Sequence, residues 1–129
     1  MTEPVWIETQ DALLLHARLL ALYGGAAGLR DEGLLKSALA RPHQLYAYAE
    51  EPSIIEMATA YTAGIVGNHP FVDGNKRTGF VVGVLFLELN GSRFTATEEA
   101  AAQAVLKLAS HALDEAGYTA FLRANTKAE

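Results

Sequence analysis

The amino-acid sequence predicts an all-α fold, one compact helical bundle spanning residues 1–129 as a single domain. Three observations carry that expectation. Apolar residues recur at helical spacing along six segments. Hydrophobic residues make up 50% of the chain and charged residues 19%, enough apolar material to fill a continuous core. Only SRFTAT, from Ser92, resembles a strand, and it is too short and solitary to make a sheet.

The first helix is expected in TQDALLLHARLLALYGG. Thr9 can cap it, Asp11 suits the positive end of its dipole, Ala12, Leu15, Leu19 and Leu22 share a face, and Gly24 stops it. DEGLLKSALARP gives the second, with Asp31 as cap, Leu34, Leu35, Ala38 and Leu39 as apolar face, and Pro42 ending it after Arg41. HQLYAYAEEP then reads as a loop or short turn. Its Tyr46, Tyr48, Glu50 and Glu51 suit a lid or target-docking edge as well as they suit an ordinary surface loop.

A third helix starts at SIIE, where Ser53 and Glu56 form a capping box, and Met57, Ala58, Tyr61 and Ile65 extend its stripe toward a stop at Gly67 and Asn68. NKRTGFVVGVLFLELNG follows, apolar almost all round, which makes it the central helix; Asn90 and Gly91 supply a left-handed exit. A capping box from Thr95 to Glu98 precedes the fifth helix, EEAAAQAVLKLASHAL, and DEAGYTAFLRAN is the sixth. No internal repeat, low-complexity segment or linker divides the chain.

Composition excludes several classes of function. A net charge of -5 argues against broad attraction to nucleic acid or anionic lipid, so an anion site must be local. With no cysteine there is no disulfide, thiolate metal site or thiol catalysis. Glu3 and Glu8 stand where a secretory signal carries cations, and the run from Gly79 meets Glu88 well short of the ~20 residues of a membrane span. A soluble, cytoplasmic protein is expected.

One stretch departs from this pattern: HPFVDGNKRTG, residues 69 to 79. Its Pro and Gly lie between two strong helix patterns, so it is a loop feeding the N-terminus of the central helix. A helix start offers unpaired N–H groups and positive dipole charge, and Gly74 lets a ligand approach the backbone. Lys76 and Arg77 in the first turn oppose the dipole, which makes sense if an anion compensates them; Arg77 suits a bidentate grip on phosphate and Lys76 a point charge. Asp73 beside a phosphate fits a bridging Mg²⁺. An imidazole, with an ordinary pKa of about 6.5, can take a proton from an attacking hydroxyl, the role open to His69. The parts together read as phosphoryl or nucleotidyl transfer.

His69, Phe71, Asp73, Gly74, Asn75, Lys76 and Arg77 resemble the His-x-Phe-x-Asp/Asn-Ala/Gly-Asn-Lys-Arg signature of the Fic/Doc superfamily, in its Doc (death-on-curing) toxin branch. The flanks YGGAAGLRDEGLLKSALARPHQLYAY and LFLELNG are also similar to that branch, so the resemblance covers nearly the whole chain. It implies a small all-α core. It also implies His69 as general base, Asp73 as Mg²⁺ ligand, Gly74, Asn75, Lys76 and Arg77 around the phosphates, and Phe71 as buried anchor of the loop. Fic members usually carry His-Pro-Phe-x-Asp/Glu-Gly-Asn-Gly-Arg and transfer AMP. Lys76 replaces that second glycine. In the Doc branch this lysine goes with an inverted nucleotide, so the resemblance implies a kinase using ATP and Mg²⁺ on a threonine of elongation factor Tu, silenced by a small antitoxin.

Gly74 matches the Fic form as well as some Doc forms, which leaves AMP transfer as an alternative, and Gly79 stands where many Doc sequences have alanine. The self-inhibitory Ser/Thr-x-x-x-Glu-Gly/Asn motif is absent, its nearest candidate, Thr95 to Glu99, being followed by Ala100. A different class remains: an inactive fold serving as a binding module, against which the complete motif argues. His16, His43 and His111 lack a second ligand at metal spacing and are assigned structural places. Arg41 points either at the site or at its own helix end, and the Ala-rich segments either form core or a groove for an antitoxin helix.

Overall fold

The structure, a computed structural model, describes residues 2–129. Six helices follow one another: α1 (Thr9–Tyr23), α2 (Glu32–Tyr48), α3 (Ile54–Asn68), α4 (Asn75–Leu89), α5 (Glu98–Ala109) and α6 (Glu115–Ala124). The all-α expectation holds, with α3 and α4 innermost and the rest packed around them. Among the described residues no helix is long and apolar enough to cross a membrane.

Small residues let α3 and α4 approach closely. A Cβ on Gly79 would stand 3.0 Å from Val66 Cγ2 and 3.1 Å from the Thr62 carbonyl, and one on Gly83 would stand 3.0 Å from the Ala58 carbonyl. Thr62 Oγ1 donates to the Gly79 carbonyl at 2.7 Å across the same contact. A methyl at 79 would therefore need Val66 and the Thr62 backbone to give by a few tenths of an ångström. Tyr61, fully buried on α3, accepts from Ile7 N at 2.9 Å, and Asn90 pairs with both backbone groups of Val5, so the N-terminal segment is stitched to both central helices.

Six local expectations are corrected. Pro42 does not end the second helix, which runs six residues further to Tyr48, so the supposed loop at HQLYAY is helical. A mid-helix proline costs about 3 kcal/mol. Its compensation lies in the turn that follows: His43 stacks on Trp6 at 3.8 Å, Tyr46 meets the same ring edge-on at 5.7 Å, and Leu45 packs on the core. The strand-like segment is not solitary: β1 (Ser92–Phe94) pairs antiparallel with β2 (Thr126–Ala128), a ribbon fixed by Phe94 packing edge-on to Phe80 and Phe121.

Leu22, expected on the buried face of α1, is 75% exposed, as is most of Tyr23 beside it in the last turn. Helix α1 starts from Glu8, whose N–H donates to Asp11 Oδ2 at 2.8 Å, and α5 is capped by Thr97, not Thr95, through the Ala100 N–H at 3.1 Å. The left-handed exit after α4 falls on Gly91 (φ 86°) alone, since Asn90 has φ -114°. Ser53 caps α3 as expected.

Candidate active site

The loop between α3 and α4 is organised around one buried ring. Phe71 is fully buried, and the His16 imidazole of α1 stacks on it at 3.8 Å and 8°. The same imidazole bonds through Nε2 to the Asp73 carbonyl at 2.8 Å, which makes Nε2 the protonated nitrogen because a carbonyl only accepts. His16 is thus the strut under the loop. Sequence reasoning gave it no task; the available signal was its place four residues from Ala12, on the buried stripe of α1.

Asn75 was expected with the phosphate holders, and its side chain is turned the other way. Its Oδ1 accepts from Phe71 N and its Nδ2 donates to Phe71 O, both at 2.9 Å, and the residue is 3% exposed. What Asn75 offers a ligand is its backbone N–H. Gly74 caps α4 in the left-handed region (φ 80°, ψ 17°) and supplies no side-chain acceptor. A Cβ there would clear its neighbours by 3.6 Å, so glycine is required by backbone conformation and not by space. The first intrahelical bond runs from Thr78 N to Gly74 O, leaving the N–H groups of residues 75–77 directed at the helix mouth.

Two cations stand there. Lys76 is exposed, and the Arg77 guanidinium lies 4.1 Å over the Tyr23 ring at the end of α1. The ion pairs among the described residues are Lys36–Glu32 and Arg41–Glu115, so neither Lys76 nor Arg77 is neutralised. Asp73 accepts from Ala26 N at 3.2 Å and from Gly74 N at 2.8 Å; these bonds, that from Ala26 first, hold its carboxyl below the usual carboxylate range. A side chain at Gly25 would collide with this carboxylate, its Cβ 2.8 Å from Oδ2.

Helix α3 stops at Asn68 as expected, and His69, exposed and in the left-handed region (φ 54°, ψ 53°), is the cap that carries the chain out of it. His69, Asp73, Gly74, Asn75, Lys76 and Arg77 all line one cleft of about 720 Å³, large enough for a nucleotide, whose far wall is apolar through Phe80, Val84 and Leu106. Among the described residues no three His, Cys, Asp or Glu groups converge as a metal cage. A single carboxylate beside a phosphate cradle is nevertheless the donor set that suits Mg²⁺, which takes most of its ligands from phosphate and water.

Other candidates lie elsewhere. Arg41 forms an ion pair with Glu115 at 2.6 Å across α2 and α6, away from the cleft, and Tyr48 sits on that same face. His43 is engaged with Trp6. In α5, Ala101, Ala104 and Val105 are core, while exposed Ala102 and Leu106 border the cleft.

Fold and site together define a class of protein: an all-α domain presenting a histidine-bearing loop at the unprotected start of its innermost helix. The chain belongs to the Fic/DOC family, whose model matches residues 6–87. It is 39% identical over 97 residues to Toxin Doc of Mycolicibacterium smegmatis, covering 74% of this chain and 71% of that protein. It is 32% identical over 85 residues to Protein kinase doc of Escherichia phage P1, covering 66% of this chain and 68% of that protein.

Proposed function

We propose that the chain is the toxin of a toxin–antitoxin pair and acts as a protein kinase. It moves the γ-phosphate of ATP to a Ser or Thr hydroxyl of a protein target, elongation factor Tu, and so arrests translation in the cytoplasm; a separate antitoxin protein silences it. The observation that carries this reading is the mouth of α4, where three free N–H groups and two unneutralised cations stand beside an exposed imidazole. The names of the two relatives, a toxin and a protein kinase, support it.

The chemistry follows from positions. The N–H groups of residues 75–77, with Lys76 and Arg77, take the phosphates, and the Tyr23 ring steadies the Arg77 guanidinium. Asp73 holds Mg²⁺, which when bound neutralises phosphate charge. His69 accepts the proton of the target hydroxyl as that oxygen attacks the γ-phosphorus. The bond from the γ-phosphorus to the β–γ bridging oxygen breaks, and ADP leaves with the electron pair.

The test is incubation of the purified protein with Mg²⁺, elongation factor Tu and ATP labelled at both the α and γ phosphorus, followed by mapping of the modified residue. Label from the γ position alone on a hydroxyl is the expected result. Label from the α position replaces the kinase by an AMP transferase, and no label on any target leaves the fold as a binding module.

A further inference from the structure

The left-handed conformation of His69 needs an explanation. A non-glycine residue in that region carries a cost of about 1–2 kcal/mol, and glycine, which carries none, has no imidazole to offer. Something outside residue 69 must hold the turn. We infer that Arg30 does so: its guanidinium is the positioning residue that sets the direction of the His69 imidazole, an inference that rests on His69 being the proton acceptor proposed above.

The contacts are specific. Arg30 Nε donates to the His69 carbonyl at 2.8 Å and Nη2 to the Asn68 carbonyl at 3.0 Å. These are terminal carbonyls of α3, which no later turn of helix can satisfy. The main chain continues the pattern, since Arg30 N and Asp31 N both donate to the Pro70 carbonyl, at 2.7 and 3.0 Å. Three successive carbonyls, 68 to 70, therefore converge on two residues. Asp31 is anchored in turn as the cap of α2, accepting from Leu34 N at 3.0 Å, and Asn68 adds a second tie between the helices by donating through Nδ2 to the Leu34 carbonyl at 2.9 Å.

Side-chain chemistry explains why arginine stands here. A planar fork reaches two adjacent carbonyls at once, whereas an ammonium offers a single compact charge. Arg30 has no acidic partner among the described residues, so its charge is directed to the negative end of the α3 dipole. The main chain from Ala26 to Asp31 runs along the whole loop, through the Ala26–Asp73 bond, Val72 N to Gly28 O at 3.0 Å and the Leu29–Phe71 bridge, but the Arg30 side chain reaches only the carbonyls of residues 68 and 69. Gly74 and its neighbours are held by His16 and by the Asp73 bonds, none of which involves the Arg30 guanidinium. Loss of Arg30 should turn the imidazole and leave nucleotide binding intact.

The experiment compares Arg30→Met and Arg30→Lys with the parent, full chain in each case, after thermal melting confirms that each is folded. Phosphate transfer, ATP affinity and the amide-to-Hα NMR coupling of residue 69, which reports its positive φ, are measured on all three. In Arg30→Met, kcat is expected to fall by about 100-fold, ATP affinity to stay at the parental value, and the coupling to lose its left-handed signature. Arg30→Lys should lie between, and ethylguanidinium should restore part of the lost rate in Arg30→Met.

Parental kcat in Arg30→Met, or an unchanged coupling at residue 69, overturns the inference. So does ATP affinity falling in step with kcat, because Arg30 would then be a support for the whole loop. If Arg30→Met does not fold, Arg30→Lys carries the same three readouts. If the parent transfers no phosphate, the kinase reading falls, and the coupling at residue 69 alone decides whether Arg30 holds the turn.

Discussion

The starts of α6 and α4 are built to opposite rules. At α6, Asp114 accepts from Gly117 N at 2.7 Å and Glu115 adds negative charge to the first turn. Helices α2, α3 and α5 follow the same scheme, with Asp31, Ser53 and Thr97 as caps and an acid in each first turn. At α4 the cap is Gly74, no side chain accepts, and the first turn carries Lys76 and Arg77. A side-chain cap contributes about 1 kcal/mol and a favourable end charge about 0.3–1 kcal/mol, so α4 forgoes both where its neighbours keep them. The chain can cap a helix, and it withholds the cap where the histidine-bearing loop enters the cleft, while the start of α5, on the same cleft, keeps its Thr97 cap.

The difference sorts substitutions into those that remove chemistry and those that remove structure. The largest expected effect is on chemistry alone. His69→Ala should lower phosphate transfer by about 100- to 10,000-fold and abolish growth arrest on expression, with thermal stability close to the parent's. An equally toxic His69→Ala protein would end the reading of the α4 start as a catalytic mouth.

Next comes the anchor, where structure dominates. Phe71→Ala empties a fully buried ring site and removes the stack on His16, so a loss of about 3–5 kcal/mol is expected in denaturant unfolding. Activity should fail with it, because Phe71 also presents both backbone groups to the Asn75 amide. A loss near zero would mean that the loop is held by the His16 and Arg30 contacts without the ring.

The comparison itself is tested by reversing charge at one start and deleting the cap at the other. Lys76→Glu should gain about 0.3–1 kcal/mol of stability, since it exchanges a charge that opposes the dipole for one that favours it, while nucleotide binding is lost. Asp114→Ala should lose about 1 kcal/mol and leave ATP affinity unchanged. Chemical denaturation and nucleotide titration on the two variants check both halves. Destabilisation by Lys76→Glu would mean that the cation is a structural member of the first turn and that the contrast with α6 has another cause.

How much of this was legible in the sequence follows from how far each residue acts. Asp31, Ser53, Gly74 and the apolar run of α4 work through their own type and near neighbours, so spacing alone exposes them. His69, Asp73, Lys76 and Arg77 are adjacent in sequence and remain adjacent in the cleft. His16, Arg30 and the ribbon partner Thr126–Ala128 act across 30 or more residues of chain, and a linear reading has no term for that. Pro42 misled for a related reason, because the aromatic contacts of Trp6 that carry α2 past it come from the N-terminal segment, distant along the chain. The side chain of Asn75 shows the same limit at short range: the motif fixes its identity, but whether its amide faces a ligand or the loop depends on Phe71 being buried.

The smallest effect is silent at neutral pH and separates core from cleft by titration. Burial pushes the Tyr61 and Tyr118 phenols up to about 12. A group whose folded-state pKa is raised favours the folded state fully below its unfolded value of 10.0 and loses that contribution as pH rises toward the folded value. Stability should therefore be level through neutrality and decline between pH 10.0 and about 12. Neither tyrosine touches the cleft, so His69→Ala and Lys76→Glu should decline in parallel with the parent over that range. Tyr118→Phe should flatten part of the decline, whereas Tyr61→Phe also removes the acceptor of Ile7 N and should start from a lower plateau. Unfolding followed by circular dichroism, with tyrosinate absorbance read in the same samples, decides it: if the phenols ionise well before the chain unfolds, the two rings are not sealed in the core and the division between a rigid interior and an open helix mouth is weaker than the packing implies.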